Sequence, residues 1–432
     1  MDYIKSHIWQ ILFSLNYILA LSAVATILLK KVNPTKTLSY IIALLVLPFL
    51  GLLVYYLFGQ EYRKSKIFSR KNVLNQNVVK EIRDTLELDT KTITEVDNLL
   101  DQKSKIIPLL YNNEKAKLTL NNEVQLIKNG DTKFELLIRD LKEAKTHIHF
   151  EYFIIKDDQI GTKILDLLCL KAKEGIEVRV VVDDVGSSIS SGMKQKLKDD
   201  GVMLCAFMPV LFSKFTGQMN YRDHRKIIVI DGKIGYLGGI NISDAYVNAN
   251  NKRYWRDTHL RFVGEVVKHL QILFFTSWDF ASEDKIDISE RYFPDHGFKE
   301  ETAVQIAASG PDTDWSNIME AIFVAITNAE NYIYITTPYF IPNSEIVTAL
   351  QVAARCNKDV KIIVPKSSDS WIAEYATNSY LEFLLEAGVE VYHYTKGFVH
   401  AKTMVIDDVF SSVGTANFDY RSFNINFEAN AL

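Results

Sequence analysis

The apolar positions of this chain fall into two regimes: unbroken runs at the start and a period of strands and helices after it. Ile8 to Leu29 is an uncharged run of 22 residues and Leu38 to Phe58 another of 21. Each reaches the ~20 residues a helix needs to cross a hydrocarbon core. Both are apolar on all sides rather than striped, unlike the helices of a soluble domain. The polar stretch Lys30 to Thr37 is too short to separate two helices, so residues 1–60 are expected to form a hairpin of two transmembrane helices. Pro48 and Gly51 lie inside the second run, where a kink would leave the hairpin shallow. Ala23-Val24-Ala25 resembles a processing site, and a cleaved signal peptide is the competing reading, which the second apolar run opposes.

Residues 61–132 are polar with scattered Leu and Ile, and read as a linker region holding a connecting helix and a short strand segment. After it one pattern occurs twice. In the first copy Phe134–Ala144 is helical, His147–Ile154 strand, Gly161–Ala172 helical, Ile176–Val182 a β-branched strand and Val202–Phe207 another strand. In the second copy Asn317–Ala329, Tyr332–Thr337, Ser344–Ala354, Val360–Val364 and Val389–Tyr394 follow in the same order. Strands alternating with helices of about ten residues predict α/β domains with mostly parallel sheets, over 133–300 and 301–432. Two in tandem predict a pseudo-dimer with any shared site at its interface.

Composition adds exclusions. The formal net charge of −4 gives no global drive toward nucleic acid. Three isolated cysteines, Cys169, Cys205 and Cys356, have no metal-ligand spacing and form no disulfide framework. Flanking the hairpin, Lys5, Arg63, Lys64, Lys66, Arg70 and Lys71 oppose Lys30, Lys31 and Lys36 in the turn. Six against three puts the large domains on the cytoplasmic side of a multi-pass protein of the cell membrane.

The chemistry is carried by a sparse polar set near the end of each copy. His224, Lys226, Asp231, Gly238 and Asn241 recur as His400, Lys402, Asp407, Gly414 and Asn417, every one displaced by 176 residues. Alternation puts His224 and Lys226 on one face at the end of a core strand, and His400 and Lys402 likewise. Brought together, the two copies give a pocket of two imidazoles, two ammonium groups and two amides, suited to a phosphodiester. The lysines neutralise its oxygens and Asn241 and Asn417 donate to them. One imidazole attacks phosphorus while the other protonates the leaving alcohol. No metal or cofactor is expected, because the lysines supply the positive charge. By strand position Asp231 and Asp407 stand between a catalytic and a loop-holding role. Asp257 and Glu428, downstream of the two histidines, are candidates to orient the rings.

These motifs, with Tyr221 to Lys226, Gly238 to Ile242, Trp255 to His259, Pro338 to Pro342 and Asn417 to Phe423, resemble the bacterial cardiolipin synthase branch of the phospholipase D superfamily. So do Asn33-Pro34 and Tyr56 to Gly59 in the hairpin. The resemblance covers essentially the whole chain. It implies two phospholipase D-like domains and a phosphohistidine intermediate. One phosphatidylglycerol is attacked, glycerol leaves, and a second accepts the phosphatidyl group. It implies His224 as nucleophile and His400 as general acid and base, an order the residues alone leave open. It places Asp257 and Glu428 behind the histidines. Gly239 and Thr415 stand where the family often has serine; Thr415 keeps a hydroxyl for phosphate and Gly239 only backbone. The family also usually continues for several tens of residues past the position of Leu432.

Phospholipid and membrane are therefore the expected partners, and nucleic acid is not. A nuclease or hydrolytic phospholipase D would use the same pocket, and a scaffold with a decayed site is opposed by two complete motifs. His147-Ile148-His149 puts two rings on one strand face, but no third ligand has suitable spacing, so they read as sheet residues. The run Phe207 to Phe212 is either packing or a segment dipping into the bilayer.

Overall fold

The computed structural model describes residues 7–29, 34–58, 71–74, 76–84, 90–208, 221–250, 253–295, 297 and 301–432. The chain divides into two compact units, one of residues 1–62 with 209–220 and one of the remainder. The basic flanks Arg63 to Arg70, the turn Lys30 to Asn33, His296 and the apolar residues Pro209 to Phe212 lie outside the described residues.

In the N-terminal unit Ile8–Leu29 is one helix, long and apolar enough to cross a membrane. The second run departs from expectation: it forms two helices, Pro34–Val46 and Leu50–Phe58, rather than one. Pro48 has no N–H to continue the ladder. Phe49 takes a left-handed φ of 63°. The break frees the Phe49 N–H, which donates to Asn16 Oδ1 at 2.9 Å. This accounts for the buried Asn16 in a mostly apolar helix, since a backbone donor left unmatched away from water costs several kcal/mol. Gly51 lets the bent segment close up: a Cβ there would stand 2.1 Å from Ala43 O. Ala20, Ala23 and Ile27 pack with Leu44 and Tyr55.

The larger unit holds two sheets. The first runs in the order Met203–Phe207, Glu177–Asp183, His147–Tyr152, Lys226–Ile230, Ile234–Gly238, Thr258–Gly264, Thr119–Lys128, Glu301–Val304. The second runs Ile306–Ser309, Glu428–Ala431, Phe410–Gly414, Thr403–Ile406, Tyr332–Thr336, Asp359–Pro365, Glu390–Tyr394. Both are mixed, not mostly parallel. The βαβ part pairs in parallel, as Ile148 with Val178 and Ile333 with Val360. Each motif strand then pairs antiparallel, as Ile148 with Ile230 and Ile333 with Ile406, a reversal that the helix-strand alternation did not register.

The domain limits also shift. Thr119–Lys128 pairs in register with Thr258–Gly264, so the end of the 61–132 region is part of the first sheet. This is the short strand segment expected there, and its inward Asn122 is satisfied by Thr302 O at 2.9 Å and Val266 N at 2.8 Å. Glu301–Val304 joins the same sheet although it lies beyond 300. Upstream, helix Ile106–Glu114 inserts Ile106 and Leu110 into the core of the second copy. The two sheets share one apolar cluster, with Leu237, Leu260 and Phe262 from the first meeting Ile306, Ala308 and Ala429 from the second. Burial across that seam locks the pseudo-dimer.

Candidate functional site

The residues leading into each motif strand are zipped onto the other copy, while the strand itself stays in its own sheet. The His224 N–H donates to Phe427 O at 2.9 Å, and Phe427 N–H returns a bond to Arg222 O at 2.9 Å. In the second copy Gly397–Val399 pairs in parallel with Tyr254–Arg256, and His400 N–H donates to Arg256 O at 2.7 Å. The residue after each acceptor is an acid, so the zippers deliver it to the foreign ring. His224 Nδ1 meets both oxygens of Glu428 at 2.9 Å. His400 Nδ1 meets Asp257 Oδ2 at 2.7 Å. The sequence order, in which Asp257 follows His224 and Glu428 follows His400, therefore crosses over in space. With Nδ1 committed to a carboxylate, Nε2 of each ring is left for the reacting atoms.

The charged groups converge as well. His224, Lys226, His400 and Lys402 are all buried. Burial, then the positive charge of Lys226, Lys402 and His400, holds the His224 ring well below the ordinary histidine range. Burial and Lys402 bring His400 down to about 4, against the pull of Asp257. Burial lowers Lys226 to about 7 and Lys402 to about 8, with Glu428 and Asp257 as their respective leading counter-charges. Burial pushes Glu428 up to about 7 while Lys226 draws it down. The mutual influence of these groups is the signature of a shared pocket in which two imidazoles and two lysines meet the carboxyl groups of Glu428 and Asp257. Each lysine Nζ donates to the carbonyl of its motif histidine at 2.6 Å, which fixes the ammonium beside the ring.

Other expected site residues stand differently. Thr415 Oγ1 donates to Glu428 Oε2 at 2.5 Å, so its one hydroxyl hydrogen is spent on the acid and not on phosphate. Asn241 Nδ2 gives one hydrogen to Tyr246 OH at 2.8 Å, and its carbonyl accepts from Ile154 N at 3.3 Å. Asn417 is buried with its Oδ1 unmatched. Gly239 is a glycine for a steric reason, because a Cβ there would stand 2.2 Å from Asp257 Oδ1.

Asp231 and Asp407 are corrections to a catalytic assignment. They lie at the far ends of the motif strands with left-handed φ values of 56° and 54°. Asp231 accepts the backbone N–H groups of Lys145, Thr146 and His147, and Asp407 those of Glu330, Asn331 and Tyr332. Both carboxylates are consumed in holding turns, and Asp407 also pairs with buried Lys103 at 2.9 Å. His147 and His149 are strand residues bonded to Gln271, at 3.1 and 2.7 Å.

Sequence reasoning passed over Arg225. Its buried guanidinium donates to Ser277 Oγ at 3.2 Å and to Glu428 O at 3.4 Å, tying the first motif to the strand that carries the acid. The signal was present in the unlike middle residues of the two motifs, Arg225 and Ala401.

Comparison with known proteins bears on this geometry. The family signature described as "Cardiolipin synthase, PLD-like domain" matches residues 137–274 and 322–432, together more than half of the chain. "Phospholipase_D-nuclease N-terminal" matches residues 18–60. A cardiolipin synthase of Oceanobacillus iheyensis is 39% identical over 98% of this chain and 89% of its own length. The major cardiolipin synthase of Bacillus subtilis is 38% identical over 98% of this chain and 89% of its length. Among solved structures, a phosphatidylserine synthase of Haemophilus influenzae superposes with a TM-score of 0.56 at 15% identity, over 77% of this chain and 86% of its own, a likeness of fold.

Proposed function

The chain belongs to the phospholipase D-like cardiolipin synthase family, and from that membership we propose that it moves a phosphatidyl group from one phosphatidylglycerol to another. It is a phosphatidyltransferase of the phospholipase D type acting on phospholipid. The crossed pairs His224–Glu428 and His400–Asp257, closing on Lys226 and Lys402, are the observation that carries the reading.

The phosphodiester anion enters between Lys226 and Lys402. Its negative charge opposes the burial that holds both rings and both lysines toward their neutral forms, so His400 takes up on Nε2 the proton it will give. His224 Nε2 attacks phosphorus and the P–O bond to the glycerol headgroup breaks. His400, its cation stabilised by Asp257, gives its proton to the departing glycerol oxygen. A phosphatidyl-histidine remains. The terminal hydroxyl of a second phosphatidylglycerol loses its proton to His400 and attacks phosphorus, the P–N bond breaks, and cardiolipin leaves. Asn241 and Asn417 are assigned to the non-bridging oxygens, Lys226 and Lys402 to the charge that develops there. Asp257 and Glu428 orient the rings. Water at ~55 M competes with the acceptor, so its exclusion decides transfer over hydrolysis.

We assign residues 1–60 to a membrane hairpin whose second arm is bent at Pro48, with both phospholipase D-like domains on the cytoplasmic side. Full-length protein in phosphatidylglycerol vesicles is expected to yield cardiolipin and glycerol in equal amounts, measured by lipid chromatography with a glycerol assay. Phosphatidic acid with glycerol and no cardiolipin would leave a hydrolase instead.

A further inference from the structure

The start of helix Trp371–Glu386 breaks the usual rule for a folded surface. Trp371 is 72% exposed, Ile372 61% and Tyr375 74%. These are three of the four most exposed large apolar side chains among the described residues of the larger unit. Ser370 caps the helix through the Ala373 N–H, so the three sit on a formed first turn. Trp371 and Tyr375, four apart on one face, hold each other edge to face with centroids 6.3 Å apart.

The turn stands at the rim of the pocket. The loop leading into it carries Asp369, which accepts from Tyr339 OH at 2.7 Å and whose charge reaches Lys402. Arg253 donates to Ser367 O in the same loop, and Arg253 leads into the Tyr254–Arg256 strand that delivers Asp257. The surroundings carry both signs of charge, with Asp369 and Glu374 at the turn and two lysines on neighbouring loops. Lys366 and Lys396 are exposed, and Lys396 Nζ lies 4.1 Å above the Tyr254 ring.

We propose that Trp371, Ile372 and Tyr375 are an interfacial lipid-binding element that seats the mouth of the pocket in the headgroup region of an anionic bilayer. The proposal rests on the phosphatidyl-transfer reading and deepens it by saying how a pocket in a water-facing domain reaches its lipid. Exposed amphipathic rings match that layer, where Trp and Tyr place an apolar body against acyl chains and a polar edge in water. The lysines meet the negative surface potential. A second protein copy fits less well, since three side chains supply roughly 400–500 Å² where a stable interface takes about 800 Å² from each partner.

The test uses the full chain in nanodiscs or vesicles rich in phosphatidylglycerol, comparing wild type with Trp371→Ala/Ile372→Ala/Tyr375→Ala. On bilayer substrate the apparent interfacial KM is expected to rise about tenfold or more. Turnover of a short-chain phosphatidylglycerol kept below its critical micelle concentration should stay within about twofold. In parallel, lipids brominated at shallow acyl positions should quench wild-type tryptophan fluorescence more than that of Trp371→Phe, which isolates residue 371 from the other tryptophans. An unchanged interfacial KM, equal loss on both substrates, no quenching specific to Trp371, or a triple variant that changes oligomeric mass would each overturn the proposal. If wild type makes no cardiolipin, the transfer reading fails, while the quenching still decides whether the turn meets lipid.

Discussion

The two halves of the pocket share a motif and differ in what holds the ring. His224 faces Glu428, whose oxygens also take the Thr415 hydroxyl at 2.5 Å and the Asn426 amide at 3.3 Å. His400 faces Asp257, which has Gly239 where the other half has Thr415, and which accepts the Thr258 N–H at 2.7 Å. The leading influences on His224 after burial are all cationic. His400 also feels Lys402, but Asp257 raises it both by charge and by hydrogen bond. Both rings are held toward the neutral form, His224 by burial and cations together and His400 against the upward pull of Asp257. A ring with no anion among its leading influences suits a nucleophile and one drawn upward by a carboxylate suits an acid, which supports the proposed order of His224 as nucleophile and His400 as acid.

The largest effect expected is on the histidines themselves. His224→Ala and His400→Ala should each lose about 10⁴-fold or more in turnover. With phosphatidylglycerol labelled at phosphorus and an alkaline quench, His400→Ala should still accumulate labelled protein and His224→Ala none. The reverse pattern would exchange the two halves.

The acids follow, at about 10²–10⁴-fold for Glu428→Gln and Asp257→Asn, since each amide would fix the wrong tautomer. They should fail differently: Glu428→Gln in forming the phosphoenzyme with His224, Asp257→Asn in proton transfer by His400. The pH profile sharpens this. Because Lys226 and Lys402 are lowered to about 7 and 8, kcat/KM for the free enzyme should fall as pH rises through that window. Removing the leading counter-charge favours the neutral amine, so Glu428→Gln should move the limb of Lys226, and Asp257→Asn that of Lys402, to lower pH. A limb that stays put would dissolve the crossed pairing.

Smaller again are the two positions behind the acids. Gly239→Ala should cost about 10–100-fold by pushing Asp257 aside, given its 2.2 Å clash, while Thr415→Val should cost only about tenfold by loosening Glu428. Similar losses at both would make the halves equivalent after all. Smallest in turnover are Asp231→Asn and Asp407→Asn, expected within about threefold per folded molecule but about 1–3 kcal/mol less stable by denaturant melts. For Asp407 burial pushes the carboxyl up, yet the backbone donors Glu330 and Tyr332 with Lys103 bring it down to about 2. Its folded value lies below its unfolded one, so its contribution is present above about pH 4 and lost as pH falls toward 2.

Sequence alone determined the parts that depend on local pattern: the Ile8–Leu29 helix, the βα units of both copies from His147 to Asp183 and Tyr332 to Pro365, and the doubled His, Lys and Asn set. Periodicity and composition are properties of neighbours along the chain, and duplication makes spacing visible without any coordinates. Tertiary structure decided the rest. The short strand expected in the linker region is Thr119–Lys128, and only its pairing with Thr258–Gly264 makes it part of the first sheet. Asp231 and Asp407 share a spacing with the motif lysines, yet a strand carries them to its opposite end. The acid of each histidine was chosen by the zippers through Phe427 and Arg256, which join segments from different copies. Which carboxylate meets which ring is a matter of packing between copies, and sequence distance holds no record of it.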